Sequence, residues 1–129
     1  MTNNTREAAV IQNLFRLLFI FLIIMSIVLS LTPTIAKMSL SMNDKIVHAA
    51  AYFSLMLACD FSWRSGKSLI TKALLVFVYS GLIEYAQDLV PGRHMSSYDL
   101  AANAAGIGVF LVLVPVFNKL QLYRVLRLN

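Results

Sequence analysis

The chain has 129 residues, enough for one ordinary domain and too few for two. Hydrophobic residues make up 59% and charged residues 13%, with a mean hydropathy of +0.74, which excludes an ordinary soluble balance and points to a membrane protein. The net charge of +5 comes from basic residues that flank apolar runs and form no continuous stripe, so it argues for membrane orientation and against a nucleic-acid partner.

Residues 1–13 are polar and read as a short N-terminal tail or interfacial turn. From Leu17 to Ala36 there is no charged residue, a span of 20. That matches the roughly 20 residues that cross a hydrocarbon core of about 30 Å. The run is long for a signal-peptide core and no clear small-x-small cleavage site follows before Pro33, so it reads as a retained anchor. A second apolar run, Ile46 to Cys59, is bounded by Asp44-Lys45 and Asp60 and continues through Trp63, an interfacial type of residue. The third runs from Leu69 to Ile83, broken only by Lys72, which is expected to snorkel from a helix end. The fourth, Leu100 to Asn118, is uncharged and ends near Pro115.

Lipid leaves backbone groups no water to bond, so runs of this length are expected as helices. The expectation is an all-α, integral membrane four-helix bundle over residues 14–118, followed by a basic tail over 119–129. Cys59 is the single cysteine, which excludes an internal disulfide. Arg6, Arg16, Arg64, Lys67, Lys72, Lys119, Arg124 and Arg127 fall on one side of this topology, and Lys37, Lys45 and Arg93 on the other. Eight against three puts both termini in the cytoplasm.

Polar residues then gather at the outer ends of three helices. Asp44, His48 and Tyr52 are four apart and share one stripe of the second helix. Glu84, Gln87 and Asp88 close the third, and Asp99 and Asn103 open the fourth, with Gly106 continuing their face. Ser96 or Ser97 suits the cap of that last helix. Ionisable groups inside a membrane usually face the bundle interior and mark function. Arg93, with a planar fork suited to carboxylate or phosphate, is the expected partner of Glu84. Blander roles compete: Asp44 and Asp99 as helix-dipole residues, His48 and Asn103 as interhelical bonds, Tyr52 as packing, Lys45, His94 and Asp88 as solvated boundary residues.

The ordered set Asp44-Lys45-x-x-His48-x-x-x-Tyr52, Glu84-x-x-Gln87 and Arg93-x-x-Ser96-x-x-Asp99-x-x-x-Asn103-x-x-Gly106 resembles the VanZ-like family of small bacterial membrane proteins. The resemblance runs from Asp44 to Val112, about half of the chain, and leaves the first helix and the C-terminal tail unmatched. It implies a multi-pass protein of the bacterial cytoplasmic membrane with a role in the cell envelope. The family is named for a member linked to teicoplanin resistance, and most members have no established activity. No resistance role is assigned to this chain.

The leading functional expectation is an outer-leaflet polar site that binds an anionic envelope component or lipid headgroup and acts on it. Arg93 and Lys45 would hold the anion, with Asp44, Tyr52, Gln87 and Asn103 lining the site. His48 and Glu84 would exchange protons, oriented by Asp99 and Asn103. The alternative is a non-enzymatic structural protein whose polar cluster locks the helices together. A third reading is a metal site built from His48, Glu84, Asp99 and His94. It ranks below the others because no H-E-x-x-H or similar fixed spacing occurs, so no metal or cofactor is assigned. The sequence allows a homo-oligomer without requiring one.

Overall fold

The structure is a computed structural model, and it describes residues 3–32, 42–63 and 68–120. Four helices occupy them: α1 (Asn3–Leu31), α2 (Met42–Ser62), α3 (Leu69–Asp88) and α4 (Ser97–Phe117). Among the described residues the chain is all-helical. Three helices, α1, α3 and α4, are long and apolar enough to cross a membrane. The 21 residues of α2 reach about 31 Å at 1.5 Å per residue, but it carries Asp44, Lys45 and Asp60 near its ends.

α1 reaches back to Asn3, so residues 3–13 are helical and not a turn. That stretch contains neither proline nor glycine, and Ala8 and Gln12 on it are buried. The end assigned to the first span, Pro33 to Ala36, lies outside the described residues, as do Lys37, Arg64, Lys67, Arg124 and Arg127.

The interior is apolar at mid-depth and polar at both ends. α2 contributes Tyr52, Leu55, Met56 and Cys59, the i, i+3, i+4, i+7 spacing of one helical face. Ala73 and Val76 of α3 and Ile107, Phe110 and Val114 of α4 complete this core. Outward-facing positions such as Ile46, Leu74, Val78, Leu82, Val109 and Val112 remain exposed, a rim suited to lipid contact.

α2 and α4 pack closest. A Cβ on Gly106 would overlap the Ala49 carbonyl oxygen and stand 2.9 Å from its carbon, so only glycine permits this approach. The α3–α4 turn is set by Gly92, with φ of +82°, and by the Arg93 N–H donating to the Val90 carbonyl at 3.0 Å. Ser96 caps α4, its hydroxyl accepting from the Asp99 N–H at 3.2 Å, while Ser97 becomes the first helical residue. Ser96→Ala should lower thermal stability in detergent by about 1 kcal/mol.

A polar cluster opposite the expected site was not foreseen. Lys72 does not snorkel outward. It is buried, and its ammonium lies 2.8 Å from Asp60 Oδ1 and 2.8 Å from the Trp63 carbonyl oxygen. Nearby, Arg16 donates to the Ser62 carbonyl at 3.1 Å, tying α1 to the end of α2. An ammonium inside the bundle finds strong acceptors there, whereas an outward course would leave the carboxylate of Asp60 buried without that cation.

Candidate functional site

The other end of the bundle holds the site. α2 begins, α3 ends and α4 begins at this level, so each helix delivers a polar terminal turn to the same region. On α2, Asp44 and His48 are one turn apart, with His48 Nε2 3.8 Å from Asp44 Oδ1. Lys45 pairs with Asp99 of α4, and its ammonium also lies 3.5 Å from Asp44 Oδ2. One turn deeper, His48 Nδ1 is 3.0 Å from the Asn103 side-chain oxygen. These contacts stack one helical turn apart, three residues along α2 and four along α4: Lys45 and Asp99 above, His48 and Asn103 below.

An oxygen of Asn103 accepts but does not donate, so the proton of a neutral His48 belongs on Nδ1. The Nε2 lone pair is then left facing Asp44. Asn103 is fully buried and holds this tautomer from below.

α3 supplies Glu84, also fully buried. The Ser96 N–H donates to Glu84 Oε2 at 3.4 Å, joining α3 to the cap of α4. The amide of Gln87 is oriented with its nitrogen toward Glu84. It then donates to Glu84 Oε2 at 3.2 Å, while its oxygen accepts from Arg93 and from Ser30 of α1, each at 3.2 Å. Arg93 and Glu84 are therefore bridged through Gln87, and the direct ion pair expected from sequence is not among the described contacts. Arg93 also reaches the Leu29 carbonyl at 3.4 Å, which brings the end of α1 into the assembly. Arg93 and Lys45, and His48 when protonated, act electrostatically on Glu84.

Four side-chain atoms are buried here without a hydrogen-bond partner: Asp44 Oδ2, Tyr52 Oη, Glu84 Oε1 and Asn103 Nδ2. Tyr52 sits two turns into α2, within reach of the field of Glu84, its ring 6.5 Å from that of Tyr79. Polar atoms without a hydrogen-bond partner inside a fold are uncommon, and four of them in one polar cluster call for water, an ion or a ligand.

The structure thus brings together Asp44, Lys45, His48, Tyr52, Glu84, Gln87, Arg93, Asp99 and Asn103. Two neighbours fall outside. His94 is 92% exposed, and its imidazole lies 3.8 Å from the half-exposed carboxylate of Asp88, which also accepts from the Met95 N–H. The exposed imidazole of His94 stands in the turn beside Asp88, so it is not among the residues gathered with His48 and Glu84. Instead, Asp44, His48 and Asp99 place one ligand-type atom each within 4.8 Å of one another. Ser30 was not foreseen because nothing in the apolar run of α1 shows which turn meets Gln87. Comparison with known protein families, characterised proteins and solved structures finds no match.

Proposed function

We propose that this chain is a VanZ-like protein of the bacterial cytoplasmic membrane with both termini on the cytoplasmic side, binding an anionic envelope component or lipid headgroup at the Glu84 end and acting on it. The observation that carries this reading is the set of four buried atoms without a hydrogen-bond partner, drawn from three helices and placed beside two cations, Lys45 and Arg93. A site already saturated by its own contacts would leave no such atoms. Arg93 is only partly buried and stands on the α3–α4 turn, which this reading puts at the headgroup level, where its planar fork suits a phosphate. His48, Glu84 and Asp99 are the groups proposed to act on the bound species, with Asp44, Tyr52, Gln87 and Asn103 lining the site.

The test is binding of the purified chain to vesicles of anionic phospholipid, with zwitterionic vesicles as the control. Arg93→Gln should weaken anionic binding at least tenfold at equal folded abundance. Unchanged binding in Arg93→Gln, or equal binding to both vesicles by the parent, would remove the proposal.

A second reading draws on the pairings themselves. Lys45 with Asp99, His48 with Asn103, and Glu84 through Gln87 to Arg93 each join separate elements, as a structural lock would. On that reading Glu84→Gln lowers the detergent melting temperature and leaves vesicle binding untouched. A ligand-binding role requires the reverse order of effects.

A further inference from the structure

We infer that Asp44, His48 and Asp99 form a divalent-cation site, and that Lys45 occupies its place when the cation is absent. The inference rests on reading this end of the bundle as a ligand site and names one ligand of that site. Asp44, His48 and Asp99 come from two helices, and their ligand-type atoms already lie within 4.8 Å of one another. Zinc binds nitrogen and carboxylate oxygen at about 2.0–2.2 Å, so the three groups need to close by roughly an ångström.

Three independent features favour a cation at this point. First, His48 is prepared as a ligand. In the neutral tautomer protonated on Nδ1, that proton is directed to the buried Asn103 oxygen and Nε2 is left on the side of Asp44. A metal-binding histidine typically has its second nitrogen fixed in this way. Second, an ammonium already stands between the two carboxylates. Lys45 Nζ contacts Asp99 Oδ1 and approaches Asp44 Oδ2, so the oxygens are arranged around a positive charge. Third, the wholly buried Glu84 keeps Oε1 without a hydrogen-bond partner, in the field of His48 and Lys45. It stands outside the three-atom set and adds an unsatisfied acceptor from the third helix under the influence of the same groups.

The lysine gives the site its behaviour. Its side chain is 34% exposed on a flexible four-carbon stem, so a cation arriving between the carboxylates can displace the ammonium toward the headgroup level. Cation binding would thereby free Lys45 to join Arg93 on a phosphate. His48 then serves as a ligand and not as the proton-transferring base expected from sequence.

Zinc is the probe, titrated calorimetrically into the full chain in detergent after chelator treatment. One zinc per chain is expected. His48→Ala and Asp99→Asn should each weaken binding at least tenfold, and His94→Ala should leave it unchanged. Lys45→Met should tighten zinc binding severalfold by removing the competing ammonium, a gain that loss of structure cannot mimic. Cobalt in place of zinc gives a second readout, with visible absorption that changes in His48→Ala. No stoichiometric zinc in the parent, or weaker binding in Lys45→Met, overturns the inference. Anionic vesicle binding by the chelator-treated parent separates the two proposals: if it persists while zinc fails to bind, the headgroup reading stands without the metal.

Discussion

Replacing Lys72 with methionine is expected to lower the stability of the folded protein by about 3–5 kcal/mol, the usual effect of breaking a buried ion pair from one side. Lys72 and Asp60 have side chains only 7% and 1% exposed, and their charged atoms are 2.8 Å apart. Methionine keeps most of the stem's volume and removes the charge, leaving the Asp60 carboxylate without this cation. The ammonium also donates to the Trp63 carbonyl, so the end of α2 loses a bond where it turns toward α3. Denaturant unfolding in detergent measures the change. Replacing both partners, Asp60→Asn with Lys72→Met, should recover a large part of the loss, because no charge of the pair then remains buried. A double variant as unstable as Lys72→Met alone would show that the pair does not act as a unit.

Gly106→Ala has the second largest expected effect. The added methyl group would meet the backbone of Ala49, which has no rotamer by which to move aside. Overpacking of this kind costs about 1–3 kcal/mol, and its relief requires α2 and α4 to separate. The same crossing aligns Lys45 with Asp99 and His48 with Asn103. Gly106→Ala should therefore weaken anionic vesicle binding even in the fraction that remains folded. Gly108→Ala, with open space around its added Cβ, is the control and should behave as the parent does. Equal stability of the two variants would contradict the close approach of α2 and α4.

Helix existence was legible in the sequence because runs without charge leave a chain in lipid few options. Helix ends were legible in part. α3 ends at Asp88 as its closing polar residues suggested, with Glu84 and Gln87 on the face that the buried Val76, Ser80 and Ile83 set. At the start of α1 the polar residues read as a tail or turn are helical from Asn3, because polar composition does not end a helix that lacks proline and glycine.

The site was readable as a stripe but not as a wiring pattern. Four-residue spacing places Asp44 with His48 and Asp99 with Asn103, and the structure confirms both faces. Which residue bonds which depends on the rotation of one helix against another, and no periodicity encodes that rotation. Thus Lys45 pairs with Asp99, and Gln87 intervenes between Glu84 and Arg93. The Asp60–Lys72 pair had a usable signal, since its members flank one short connection between α2 and α3. Oppositely charged residues at the two ends of such a connection are well placed to meet.

The convergence of three helices on one polar site is tested most directly by a double-mutant cycle between His48 on α2 and Glu84 on α3. Stabilities of His48→Ala, Glu84→Gln and the double variant would be measured by denaturant unfolding in one detergent. Residues in one interacting cluster should show a coupling energy of about 0.5 kcal/mol or more. Effects that add to within about 0.3 kcal/mol would mean that the two side chains do not share a site.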